Sequence, residues 1–201
     1  MKQITRGLTC ILLAMAVAAC SSKGSVELEP MKLESFKAEI ELRKEWSVSV
    51  GNGQGKLWNK LVPAVDGDQI FAAGSDGVVV ALDRFTGKRQ WQKKLKAAVS
   101  GGVGAGYGSA LVGTMYGEAI ALDSRSGDEV WRTNVASEIL AAPATNGDVV
   151  VVQTQDDRLI ALEAYNGAER WMYEERPAVL SLRGTSLPLI TPYVVYAGLS
   201  S

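Results

Sequence analysis

Residues 121–131 read ALDSRSGDEVW; forty positions earlier, residues 81–91 read ALDRFTGKRQW, and forty later, residues 161–171 read ALEAYNGAERW. Trp91, Trp131 and Trp171 keep that spacing without a slip, as do Gly87, Gly127 and Gly167 and the alanines Ala81, Ala121 and Ala161. Self-similarity at such a period means that one supersecondary unit is written several times and stacked. The unit decides the fold.

Outward from the third copy, the chain alternates short apolar runs with turn residues: residues 143–145, then NGD, VVVVQ, DD, RLIALE, YNG and AERWMY. Runs of four to six β-formers bounded by Gly, Asn or Asp predict four antiparallel strands, A to D, and no helix. In the C–D turn each copy ends in glycine, where a hairpin needs positive φ. Asp83 and Asp123 stand just before it and are expected to cap turn amides. Glu163 holds the same phase, and the three carboxylates are read as turn caps on one rim rather than as metal ligands.

Four-stranded blades of about forty residues stack radially into a β-propeller. The fold class is therefore all-β, a propeller of four-stranded antiparallel blades. The repeated tryptophan is expected to fill the gap between neighbouring blades, a structural role. LRKEW, ending at Trp46, has the phase of strand D with no strands A to C before it, and the closing YVVYAGLSS, set beside QIFAAGSDG, ends in the turn after strand B. The expectation is a fragment: an orphan strand, three full blades and half of a fourth, in a propeller domain over 39–201.

Composition narrows the chemistry. Of 201 residues, 21 are Lys or Arg and 22 Asp or Glu, so a net charge of -1 offers no basic footprint for nucleic acid. Histidine is absent, which removes imidazole triads and imidazole metal sites. Both cysteines, Cys10 and Cys20, lie in the first twenty residues, so no disulfide or cysteine metal site is open to the rest. No catalytic residue, metal or cofactor is expected.

The first residues read as a targeting segment, with Lys2 and Arg6 before an apolar run at 8–19 that is short for a bilayer span. The run closes on VAAC, residues 17–20, which resembles the lipobox of bacterial lipoproteins. That resemblance implies a signal peptide over 1–19, lipidation of Cys20 with acyl chains, palmitate among them, and a tether over 20–38. Several acyl chains hold a domain at a membrane far better than one, and Ser21 after the cysteine implies the outer membrane, on its periplasmic face.

The third blade also departs from the repeat. From Trp131 to Pro143 is 12 residues, but from Trp171 to the equivalent Pro188 is 17, so five residues are inserted between strands D and A. The insert carries AVLSLRGTS. In this zigzag the A–B and C–D turns share one face, whereas the B–C turns and D–A links share the other, with Tyr116 and Asp156. Aliphatic residues beside an arginine suit a partly desolvated contact.

The repeat resembles the pyrroloquinoline-quinone type, found in quinoprotein dehydrogenases and in non-catalytic propellers alike. Lipobox, tether, repeat and LSLRG at 180–184 together resemble the BamB family, the propeller lipoproteins of the outer-membrane β-barrel assembly (BAM) complex. The resemblance implies an eight-bladed propeller and a non-catalytic scaffold that aids the folding and insertion of barrel proteins. It also implies that Leu180, Leu182 and Arg183 contact a periplasmic POTRA domain of BamA, with other BAM members and unfolded outer-membrane proteins as further partners. The alternative is a membrane-anchored quinoprotein dehydrogenase with its ligands elsewhere.

Overall fold

Strand, turn, strand: the alternation continues through residues 64–196 of the computed structural model, which describes residues 31–34, 39–57, 59–175 and 183–199. Cys20, Leu180 and Leu182 lie outside the described residues. The chain divides into two units between Leu42 and Arg43. In the first, the described residues carry no helix or strand, and Met31, Leu33, Ile40 and Leu42 are exposed.

The second unit holds three four-stranded antiparallel sheets in simple meander order. They are β1 (Ala64–Asp66), β2 (Gln69–Ala73), β3 (Val78–Asp83) and β4 (Arg89–Lys94); then β5 (Val99–Gly106), β6 (Ser109–Thr114), β7 (Glu118–Asp123) and β8 (Glu129–Asn134); then β9 (Ala144–Thr145), β10 (Val149–Gln153), β11 (Arg158–Glu163) and β12 (Glu169–Glu174). A two-stranded sheet follows, β13 (Leu189–Ile190) with β14 (Val195–Tyr196). These are three blades and strands A and B of a fourth.

Each inner blade is apolar on both faces because side chains alternate along a strand. From β6 and β7, Ala110, Val112, Ile120 and Leu122 join Phe71, Val79 and Trp91 of the first blade. Their neighbours Leu111, Ala119 and Ala121 join Val150, Val152, Ile160 and Leu162 of the third. From the third blade, Val149, Val151, Leu159 and Ala161 meet Ile190, Val195 and Ala197. Continuous runs such as VVVV are strands sandwiched between sheets. The innermost strands come closer still: a Cβ on Gly104 would lie 1.8 Å from the Pro143 carbonyl oxygen.

The expected strand at 42–46 does not form. Residues 41–50 carry no strand, and no strand C precedes them among the described residues to pair with. Trp46 nevertheless keeps its phase, packing on Gly87. The repeated tryptophans sit in the middle of strand D, just after a register shift opposite Ala81, Ala121 or Ala161.

Candidate partner-binding face

The two faces separate by hydrogen bonds. On one, A–B and C–D turns of the same blade meet: the amides of Arg84, Ser124 and Ala164 donate to the carbonyls of Asp68, Gly108 and Asp148 at 2.9, 2.9 and 3.0 Å. On the other, links between blades meet B–C turns. The amides of Leu95 and Val135 donate to Gly77 and Gly117, at 2.8 and 2.7 Å, and that of Gln155 donates to the Glu138 carbonyl at 2.8 Å.

On the first face, Asp83 Oδ1 accepts from the Phe85 and Thr86 amides at 3.2 and 2.8 Å and from the Thr86 hydroxyl at 2.6 Å. Asp123 Oδ1 accepts from the Arg125 and Ser126 amides, both at 2.9 Å. These donors hold both carboxyls below the usual aspartate range, the Thr86 hydroxyl being the largest cause for Asp83 and the Ser126 amide for Asp123. Glu163 departs from the set. One methylene longer, it takes two bonds from Arg170, at 2.8 and 2.6 Å, and Arg170 also reaches Asp148 at 2.6 Å. The guanidinium lowers both carboxyls, and they in turn raise the arginine. Among the described residues, no group of three or more His, Cys, Asp or Glu is placed to hold a metal ion.

The repeat residues form the seams between blades. Each glycine lies against the tryptophan of the preceding blade: Gly87 on Trp46, Gly127 on Trp91, Gly167 on Trp131. Trp91 and Trp131 are buried, whereas Trp171 is 36% exposed, because among the described residues no following C–D turn covers it.

The inserted link runs from the end of β12 to the start of β13 and is five residues longer than the 135–143 link. Of its expected contact residues, Arg183 alone is described. Arg183 Nη1 donates to the Leu57 carbonyl at 2.9 Å, and Nη2 donates to Asn59 Oδ1 at 3.1 Å and Glu138 Oε1 at 2.6 Å. Asn59 is 3% exposed. Leu57 and Asn59 come from the link that enters β1, and Glu138 from the link between β8 and β9. Three chain segments thus converge on one guanidinium, on the face of the B–C turns and blade links.

Sequence reasoning did not single out Asn59 or Glu138. Asn59 lies in a link with no repeat to compare. Glu138 stands where the preceding link has Ala98, a departure that could have drawn notice. Just inside this cluster, Lys60 and Thr185 line a cavity of about 600 Å³ between innermost strands, together with Val62, Leu140 and Leu187.

The profile of the family described as outer membrane protein assembly factor BamB matches residues 40–98 and 75–201. The chain belongs to the BamB family. The BamB of Pseudomonas aeruginosa is 56% identical over 105 residues, covering 52% of this chain and 28% of that protein. The BamB of Xanthomonas campestris is 36% identical over 127 residues, covering 53% and 31%. The crystal structure of BamB from Moraxella catarrhalis superposes with a TM-score of 0.66 at 31% identity, covering 72% of this chain and 44% of that one. The matched stretch spans roughly three-tenths of the length of these curated BamB relatives.

Proposed function

We propose that this chain serves as a non-catalytic scaffold of the outer-membrane β-barrel assembly complex. In this reading acyl chains on Cys20 hold it at the periplasmic face of the outer membrane, and residues 20–38 tether the propeller to them. The exposed, irregular backbone at 31–34 is in keeping with a tether. The inserted link, with Leu180, Leu182 and Arg183, binds a POTRA domain of BamA, and the assembled complex helps unfolded barrel proteins enter the membrane.

The observation that carries this reading is the meeting of three segments at Arg183 on the face of the B–C turns, in a chain of the BamB family. Loops positioned by a rigid scaffold disproportionately carry binding residues, and this link departs from a strict repeat. Aliphatic side chains next to a held guanidinium provide the desolvated centre that a protein contact needs.

The test is affinity purification of the tagged full-length protein from detergent-solubilised outer membranes, wild type beside Leu182→Asp/Arg183→Glu. Recovery of BamA with wild type and its loss with the folded double variant supports the reading. Recovery with neither sinks it, and bound quinone with calcium in the purified protein would then favour a dehydrogenase.

A further inference from the structure

We propose that the cavity between the innermost strands binds a free single-chain fatty acid, its hydrocarbon tail among those strands and its carboxylate at Lys60 and Thr185. The site goes beyond the scaffold reading and does not depend on the partner contact.

The cavity holds about 600 Å³, inside the range of about 300–1,000 Å³ usual for small-ligand sites. Its walls are apolar. Pro63, Pro143 and Pro188 each stand immediately before an innermost strand, β1, β9 and β13, and all three line it beside Val62, Leu140 and Leu187. A proline brings no backbone N–H. An extended peptide in this space would therefore meet no donor for its carbonyls at these positions and would carry the cost of their desolvation. A hydrocarbon chain has no polar group to satisfy and gains with each methylene taken from water. The lining thus favours an acyl tail over a peptide.

The polar groups gather at one end. Thr185 Oγ1 is buried at the cavity and has no hydrogen-bond partner among the described residues. Buried hydroxyls are normally paired, and a carboxylate oxygen in the cavity would accept from this one. Lys60 lines the same cavity and, among the described residues, enters no ion pair. Its chain neighbour Asn59 is joined to Arg183 at 3.1 Å, and Arg183 lies two residues before Thr185, so Lys60 and Thr185 come to the same end.

The base of Lys60 is fixed while its head is free. Its carbonyl accepts from the Val62 amide at 2.8 Å, and the Val62 carbonyl accepts from the Val103 amide at 3.0 Å. An ammonium on a flexible four-carbon stem can meet a carboxylate without any shift of that wall. Among the described residues no Asp or Glu lines the cavity, and Glu138 in the adjoining cluster is already paired with Arg183 at 2.6 Å. Lys60 is thus left as an uncompensated charge at the rim, and the complement it lacks is an anion.

The experiment uses the full-length chain carrying Cys20→Ala, which needs no detergent to compete for the site. Laurate, kept below its micelle concentration, is titrated by calorimetry, and thermal midpoints report the fold. Saturable binding, one laurate per chain, is expected. Dodecyltrimethylammonium, with a tail of similar length and a cationic head, is expected to bind at least tenfold more weakly. Lys60→Met is expected to weaken laurate about tenfold and to narrow that gap. Thr185→Val removes a hydroxyl that has no partner in the free protein, so the ligand-free midpoint is expected to stay level or rise while laurate affinity falls severalfold. Ala142→Phe, which fills part of the cavity, is expected to abolish binding; should it not fold, the exposed Lys60→Met still decides.

Laurate that does not saturate, or that binds Lys60→Met and Thr185→Val as it binds wild type, overturns the site. Equal affinity for the two amphiphiles overturns the place of the carboxylate at Lys60. An apolar peptide that binds more tightly than laurate, and competes with it, overturns the choice of ligand. None of these readouts involves BamA, so their failure leaves the scaffold reading standing, and failure of that reading leaves this site standing.

Discussion

The indole Nε1–H of Trp91 donates to the carbonyl of Ser124 in the next blade at 2.8 Å, while the same ring lies on Gly127. Trp131 repeats both contacts one blade on, donating to the Ala164 carbonyl at 2.8 Å and covering Gly167. Each ring thus closes a seam by packing and by hydrogen bonding. Trp91→Ala and Trp131→Ala are expected to lower stability by about 3–5 kcal/mol each, the range for large aromatic truncations in a core. Trp171, 36% exposed, is expected to cost less than about 2 kcal/mol. Urea denaturation of the three variants checks the order; equal losses would remove the seam argument.

Gly127 adopts φ +72°, and a Cβ there would come 2.6 Å from Trp91 Cε3. Gly127→Ala therefore combines left-handed strain, about 1–2 kcal/mol, with displacement of a buried ring. Gly104 is different in kind. Its φ is ordinary, but a Cβ would stand 1.8 Å from the Pro143 carbonyl oxygen, which is backbone and cannot rotate aside. Gly104→Ala is expected to push β5 away from the link leading into β9 and to cost more than Gly127→Ala. A Gly104→Ala protein with wild-type melting would contradict this close approach.

Acid should weaken the propeller through its turns. Asp83, Asp123 and Asp148 are held below their ordinary 3.8, and Glu163 below 4.5, by the hydrogen bonds and ion pairs of the folded state. A carboxyl whose folded pKa is depressed adds stability that is fully present above the unfolded value and fades as pH falls toward the folded one. The urea midpoint is therefore expected to be level at pH values above both ordinary values and to fall on acidification through 4.5 and 3.8. Arg170→Met, which removes the partner of Asp148 and Glu163, should make that fall shallower. A midpoint that rises on acidification would contradict the sign.

The repeat made most of this architecture legible. Gly, Trp and the apolar runs keep one phase because every blade meets the same neighbours in the same way, so three copies report one geometry. The turn caps at Asp83 and Asp123 followed from the same logic. Glu163 did not, because its longer side chain finds Arg170, and that contact depends on where Asp148 lies in an adjacent turn. The strand expected at 42–46 failed for a related reason: phase places Trp46, but a strand also needs a ladder partner. Least legible was the Arg183 cluster, whose acceptors at Leu57 and Asn59 stand 126 and 124 residues away in a non-repeating link. No local pattern encodes such a meeting.

Gln153 offers a final check on how the inserted link is held at its far end. It closes the VVVVQ strand, where the corresponding positions are Ala73 and Gly113, and it is 1% exposed. Its Nε2 donates to the Gly198 carbonyl at 2.7 Å, and its Oε1 accepts from the Ser186 hydroxyl at 2.8 Å. Ser186 in turn accepts from the Gly198 amide at 2.8 Å. One buried side chain thus joins the base of the link, three residues beyond Arg183, to the segment following β14. Gln153→Leu keeps the volume and removes both bonds, leaving the Gly198 carbonyl with the Ser186 hydroxyl at 3.0 Å as its side-chain donor, a loss of about 1–3 kcal/mol for the two bonds together. The local effect is expected to exceed the global one: amide exchange at Gly198 and Thr191 should accelerate, while amides in β6 and β7 stay protected. Equal exchange in variant and wild type at Gly198 would mean that β13 and β14 are held by the apolar contacts of Ile190 and Val195 alone.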